Sequence, residues 1–150
     1  AFVCVIIYYN WTGKEEIKDF AGLTERAPYL ALSLSIALFS LAGMPLFAGF
    51  ATKFILFQAA AQEDLLWLAG VAVTMSFVSL YYYLIIVKEM YLGQPEEPGR
   101  FRTPWLEYGA LTVLIAGVML IGLYPQPLFD AVDTSTATLF GEQVAAVSGR

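Results

Sequence analysis

The chain has 150 residues, of which 59% are hydrophobic and 14% charged, and its mean hydropathy is +0.66. Soluble domains carry about 25% charged residues, so this composition excludes an ordinary soluble domain and indicates a membrane protein. The net charge of −5 without a basic stripe argues against nucleic-acid binding, and a sequence with no histidine and one cysteine offers no metal motif.

The first apolar run covers residues 1–11 and already lies inside a hydrophobic block. We interpret it as the end of a truncated membrane span, because a signal peptide would show a basic start and a small-residue cleavage site. The lone Cys4 falls within this run and is predicted to be a buried small hydrophobic residue.

A polar and charged connector follows over residues 12–28. Three of its apolar residues recur at helical spacing: Ile17, Phe20 and Leu23. This pattern predicts a short amphipathic helix that lies at the membrane interface and ends near Gly22.

Residues 29–62 form an apolar stretch with a single charge, Lys53. As one straight helix this stretch would be about 50 Å long, well beyond a hydrocarbon core of roughly 30 Å. Pro45 near its centre removes a backbone donor and clashes with the preceding turn. Because glycines flank this proline, we predict a discontinuous span whose first half-helix ends near Gly43 and whose second begins near Gly49.

Two further apolar blocks predict spans over residues 65–87 and 105–124. A proline- and glycine-containing loop over residues 88–104 separates them, and a tail over residues 125–150 follows the last span. The predicted fold class is therefore an all-α integral membrane protein, a polytopic helix bundle with one discontinuous transmembrane helix.

Lysine and arginine alternate between the connectors. Three lie before the broken span, none directly after it, three in the loop over residues 88–104, and one at the end of the tail. By the positive-inside rule, residues 12–28 and 88–104 are predicted to be cytoplasmic, and the C-terminal tail is predicted to be external.

Lys53 is the main candidate for chemistry. A lysine near the centre of a span costs about 2.5–3.5 kcal/mol on insertion scales, so it is expected to face the bundle and carry a function. The alternative is that its side chain snorkels to a headgroup. Lys53 lies roughly 15 Å of helix from the end of the span at Gln62, which is long for a snorkelling side chain.

The helix break is expected to contribute a cavity beside this lysine. Half-helix ends leave unpaired backbone groups that bind ions or water, so Gly43, Pro45 and Gly49 are predicted to line a channel, with Thr52 on a possible water path. The alternatives are a simple packing kink and, for the hydroxyl, an interhelical hydrogen bond. Four other hydroxyls on predicted spans could likewise line a water path or form interhelical hydrogen bonds: Thr74, Ser76, Ser79 and Thr112.

Four stretches carry a family resemblance: residues 19–23, residues 40–54 with the sequence SLAGMPLFAGFATKF, residues 80–84 and residues 122–125. They resemble the antiporter-like membrane subunits of respiratory complex I and look most like subunit N. The resemblance covers nearly the whole chain, and the broken-helix motif is its most specific part. Two positions depart from the family pattern, because Leu46 stands where the family has a second proline and Thr52 where it has glycine. Pro45 and Gly49 remain, so the break is expected to survive with a stiffer link.

The resemblance implies the C-terminal part of a fourteen-helix fold, built from two inverted five-helix repeats that each contain a broken helix. This chain would hold the end of helix eleven, the broken helix twelve, and helices thirteen and fourteen. The family's lysine of the broken helix falls on Lys53, which would then be the terminal proton-relay residue of the half-channel towards the outside.

The function implied is that of a proton-translocating membrane subunit of NADH:quinone oxidoreductase in the plasma (inner) membrane of a bacterium. No cofactor or metal site is predicted in this chain, whereas NADH, FMN, iron–sulfur clusters and quinone would be bound by partner subunits. The expected partners are the other membrane subunits of a hetero-oligomeric complex and the lipid bilayer.

Other functions remain open on the sequence. A subunit of a multisubunit cation/proton antiporter or of a membrane-bound hydrogenase would share the fold without the same redox partners. A purely structural bundle segment is a third possibility, but it leaves Lys53 unexplained.

Overall fold

The computed structural model describes residues 1–62, 64–94 and 104–126. These residues form six α-helices and one 3-10 turn, and no strand occurs among them. The elements in chain order are α1 (Phe2–Thr12), the 3-10 turn (Ile17–Phe20), α2 (Leu23–Arg26), α3 (Pro28–Ala42), α4 (Ala48–Gln62), α5 (Leu66–Leu92) and α6 (Trp105–Leu123). The predicted loop falls outside the described residues at 95–103, and the predicted tail does so from residue 127 onward.

Helix lengths separate the full spans from the half-helices. By length and composition, α5 and α6 can each cross a membrane, since their 27 and 19 residues extend about 40 and 28 Å. By contrast, α3 and α4 have 15 residues each and extend only about 22 Å. Neither half-helix reaches across a hydrocarbon core of roughly 30 Å alone, so the two serve as one discontinuous span.

The core of the described chain is built around α3. This helix contacts five of the other elements, namely α1, α2, α4, α5 and α6. Its buried apolar side chains pack with residues from four other helices and the 3-10 turn, and Cys4 lies buried among them as a free thiol. The central members of this cluster are Tyr8, Leu30, Leu34, Met90 and Leu111. The first half of the broken span is thus the best anchored element.

The connector between α1 and α3 differs from the single amphipathic helix that the spacing predicts. A 3-10 turn ends at Phe20, Gly22 then adopts a left-handed conformation with φ 64°, and only the four residues of α2 follow. Phe20 is 4% exposed and Leu23 fully buried, whereas Ile17 is 49% exposed. A single helix was the wrong prediction, because Gly22 interrupts it and because Phe20 and Leu23 pack into the chain's own core, where Phe20 stacks on Tyr8 with ring centroids 4.4 Å apart. The placement at the membrane interface stays a prediction.

The connector docks on the C-terminal end of α5. The Gly22 N–H donates to the Glu89 carbonyl at 3.3 Å, and the Thr24 hydroxyl donates to the Met90 carbonyl at 3.0 Å. The Met90 carbonyl lies in the last turn of α5, where a helix leaves its carbonyls without intrahelical partners, and the Glu89 carbonyl also accepts the Gly93 N–H at 2.9 Å. The helix accordingly continues five residues beyond the predicted end of the span at residue 87 and stops only before Gly93.

The start of α6 packs on the start of α3. The Tyr29 hydroxyl is hydrogen-bonded to the Thr112 hydroxyl, and the Tyr29 ring lies 4.9 Å from the Tyr108 ring. Glu107 lies in the first turn of α6, where an acidic side chain complements the helix dipole. Because α3 and α6 are joined at their N-terminal ends, they run side by side towards the break.

Replacing Thr24 with valine preserves the side-chain shape but removes the hydrogen bond to Met90. We expect the docked connector to lose about 1 kcal/mol, the usual net contribution of one such bond. Hydrogen–deuterium exchange of residues 17–26 should therefore accelerate about fivefold. Thr74→Val is the matched control, because the Thr74 hydroxyl bonds only to its own helix at Gly70. Equal exchange in the two variants would show that the connector is held by other contacts.

Candidate functional site

The break separates α3 from α4 over residues 43–47. Gly43 ends α3 with φ 84°, and its N–H donates to the carbonyls of Phe39 and Ser40. Glycine adopts this left-handed conformation without the steric penalty that a Cβ would bring, and it is the usual residue at this helix-ending position. The discontinuous helix predicted from the Gly43–Gly49 motif is therefore present, and its first half ends where the sequence placed it.

Leu46 gives the link its second unusual conformation, with φ 85°. A non-glycine residue in this region costs roughly 1–2 kcal/mol. A proline could not occupy the position, because its ring holds φ near −65°. The departure from the family pattern at Leu46 thus allows a link conformation that a second proline would forbid.

The Lys53 side chain reaches back from α4 to the end of α3. Its ammonium donates to the Ala42 carbonyl oxygen at 2.9 Å. The C-terminal end of a helix carries a partial negative charge of about half an electron, which favours a cation there. In the described part of the chain this carbonyl is the hydrogen-bond partner of Lys53.

Gly43 also makes room for this lysine. A Cβ at Gly43 would lie 2.7 Å from the Lys53 Cδ and 3.1 Å from its Nζ. The lysine side chain would have to shift to admit a Cβ at Gly43, so the lysine stem lies directly over the glycine backbone. Gly43, which ends α3, and Lys53, which carries the charge, therefore lie in direct contact.

The start of α4 packs against α3 through Gly49. The Gly49 N–H, one of the donors that a helix start leaves without an intrahelical partner, donates to the Ser40 hydroxyl at 3.3 Å. A Cβ at Gly49 would lie 1.7 Å from the Ser40 carbonyl oxygen. The two half-helices thus touch at the level of their backbones, and Ser40 joins them.

A cavity of about 260 Å³ lies beside the break. Its lining comes from the end of α3, the link, α4 and α5, and most of it is aromatic or aliphatic. The two polar side chains in this lining belong to Lys53 and Ser76, and the Ser76 hydroxyl donates to the Ala72 carbonyl of its own helix. The ammonium is therefore held between a helix end and a space large enough for several water molecules.

The predicted site residues are distributed unevenly around this cavity. Gly43 and Pro45 line it together with Lys53, whereas Gly49 and Thr52 are not among its lining residues. Thr52 is exposed, and its hydroxyl donates to the Gly49 carbonyl within α4. The water-path role predicted for Thr52 has no support from this geometry.

Two contributors to the site were not identified from sequence. The Ala42 carbonyl is a backbone group, so no residue type marks it as an acceptor for Lys53. Ser40 contributes its hydroxyl to the start of α4, and its place three residues before Gly43 was the only available signal. Ser76 was considered only as one of several hydroxyls, although it lines the cavity.

The arrangement defines the class of protein: a polytopic α-helical membrane protein with one discontinuous helix and a lysine bound at the break. Within that class, the chain belongs to the NADH:quinone oxidoreductase/Mrp antiporter transmembrane family, whose model matches residues 1–79.

Two similar proteins are each named subunit N of an oxidoreductase or a dehydrogenase. The chain is 42% identical over 142 residues to NADH-quinone oxidoreductase subunit N of Moorella thermoacetica, with 93% of this chain and 30% of that protein covered. It is 40% identical over 135 residues to F(420)H(2) dehydrogenase subunit N of Methanosarcina mazei, with 87% and 27% covered. The chain thus spans less than a third of the length of these curated relatives.

A solved structure supports the same relationship. The fold matches a chain of respiratory complex I from Thermus thermophilus with bound aureothin, with a TM-score of 0.67 and 29% sequence identity. The match covers 75% of this chain and 26% of that chain. The shared fold therefore extends over most of the described helices.

Gly49→Ala is expected to destabilise the packing of the two half-helices. The added methyl would overlap the Ser40 carbonyl oxygen, and overpacking of this kind costs about 1–3 kcal/mol. The measurement is the thermal stability of the purified protein in detergent. Gly70→Ala is the control, because a Cβ there meets nothing within 4 Å and alanine favours the helix. Equal melting temperatures for both variants would contradict the close contact between α3 and α4.

Proposed function

We propose that the chain is part of a proton-translocating membrane subunit of NADH:quinone oxidoreductase, and that Lys53 is the group that carries the proton. The observation that carries this proposal is the Lys53 ammonium bound at 2.9 Å to the Ala42 carbonyl at the end of a half-helix. An ammonium at membrane depth is expensive, and residues of this kind mark ion and proton pathways.

The geometry gives each form of the amine a suitable environment. The protonated form is stabilised by the partial negative charge of the α3 terminus and by the Ala42 carbonyl. The neutral form has a lone pair that can accept the next proton. Lys53 would take up a proton relayed from the interior of the bundle and release it towards the external side.

The redox chemistry is assigned to partner subunits in this proposal. NADH, FMN, iron–sulfur clusters and quinone would be bound there, and this chain would contribute proton transfer alone. The names of the relatives support this division, because one is a subunit of an NADH-quinone oxidoreductase and another of an F(420)H(2) dehydrogenase. The electron donor changes between them while a subunit N similar to this chain is retained.

The orientation proposed follows the distribution of positive charge. Residues 12–28 and 88–104 would face the cytoplasm, and the C-terminus would lie outside the plasma membrane of a bacterium. The connector fits this placement, because it docks at the same end of the bundle as the C-terminal end of α5.

A cation/proton antiporter is the second candidate. The observation in its favour is that the matching family includes Mrp antiporters. Both functions would use Lys53 at the break to carry protons. The proton-translocating oxidoreductase subunit is the preferred proposal, because the similar proteins are named subunit N of an NADH-quinone oxidoreductase and of an F(420)H(2) dehydrogenase.

Lys53→Ala is expected to lower the rate of proton transfer at least about tenfold, which corresponds to about 1.4 kcal/mol in the barrier. The measurement is proton uptake driven by quinone reduction, with the protein in its complex reconstituted in vesicles. Lys88→Ala is the matched control, since Lys88 is exposed near the C-terminal end of α5. If Lys53→Ala pumps protons as fast as Lys88→Ala, the proposal is wrong.

A further inference from the structure

Gly122, at the C-terminal end of α6, lies directly against the link of the broken helix. A Cβ added at Gly122 would lie 2.4 Å from the Leu46 carbonyl oxygen, 2.5 Å from the Phe47 carbonyl carbon and 2.6 Å from the Phe47 Cα. All three are backbone atoms, so no side-chain rotation could make room for a methyl group. The helix and the link are therefore in contact through their backbones.

This close approach is specific to one position of α6. The same helix contains Gly109 and Gly117, and a Cβ at either of them meets nothing within 4 Å. The contact at Gly122 is thus not a general property of small residues on this helix. It occurs where α6 reaches the residues that connect α3 to α4.

The link needs support from outside because its own conformation is unfavourable. Gly43 and Leu46 both have positive φ, and only the glycine adopts that conformation without a penalty. Phe47 directly precedes α4, and Lys53 follows on the second turn of that helix. A shift at Phe47 would therefore carry Lys53 away from the Ala42 carbonyl.

We propose that Gly122 is a positioning residue for the proton relay: its lack of a side chain lets α6 seat the link so that Lys53 reaches the end of α3. This inference rests on the function proposed for Lys53. Gly122 itself touches neither a proton nor a substrate, and it acts only through the backbone of residues 46 and 47.

The test compares Gly122→Ala with Gly117→Ala in the complex reconstituted in vesicles. Pumping is expressed per assembled complex, so that a loss of assembly does not count as a loss of function. We expect Gly122→Ala to lower pumping about tenfold, since a displacement of 1 Å can reduce a rate by about a hundredfold. We expect Gly117→Ala to pump as the parent does.

The number of protons pumped per quinone reduced provides a second readout, because loss of packing alone would lower quinone reduction and pumping together. Gly122→Ala should lower this ratio, since the ammonium loses its place at Ala42, and Gly117→Ala should not. If Gly122→Ala does not assemble, the same two measurements are made after adding Leu46→Gly, which lets the link move away from the new methyl group. A rate and a ratio equal to those of Gly117→Ala would overturn the inference in either background.

Lys53→Ala is included to separate the two proposals. If Lys53→Ala pumps normally, the relay itself is wrong and the role of Gly122 fails with it. If Lys53→Ala is impaired while Gly122→Ala matches Gly117→Ala, the relay stands and only the positioning role is rejected.

Discussion

The structure depends on a mutual requirement between an ammonium group and an interrupted helix. In a continuous helix the Ala42 carbonyl would accept the N–H of the residue four positions later. The break removes that donor, and Lys53 supplies a charged one at 2.9 Å. A lysine in an apolar span needs an acceptor, and a helix end in the same environment needs a donor, so each group reduces the desolvation cost of the other.

Several neighbouring features are needed to keep this pair together. Gly43 turns the chain at the end of α3 and leaves space for the lysine stem, while Ser40 receives the first turn of α4 through the Gly49 N–H. Around this pair, the backbones of neighbouring segments are in direct contact. Interiors packed in this way respond to an added methyl group by displacement rather than by compression.

The sequence predicted the parts of this arrangement that depend on residue type. Gly43 and Pro45 marked the break because their backbone preferences are local, and Lys53 stood out because a charge in an apolar span is rare. The acceptor of Lys53 was not predictable, since every residue has a carbonyl and only the fold selects Ala42. The contact of Gly122 with the link was equally invisible, because residues 46 and 122 are far apart in sequence.

The connector shows a different limit of sequence reasoning. The spacing of Ile17, Phe20 and Leu23 predicts that apolar side chains lie on one side, but it does not predict what covers them. Phe20 and Leu23 are covered by the chain's own core, and Gly22 breaks the helix between them. Periodicity predicts burial, and a membrane surface and a protein core produce the same periodicity.

The two flanks of the break have opposite properties, and this difference bears on the direction of proton transfer. On one flank Gly122 of α6 leaves no space beside the link. On the other, the cavity lies among the α3 terminus, α4 and α5, and its described lining includes no residue of α6. Among the described residues, the side of α5 is therefore the side with space beside Lys53, and Ser76 is the other polar side chain in that lining. In the proposed relay the proton would leave on that side, because the opposite side is filled by backbone.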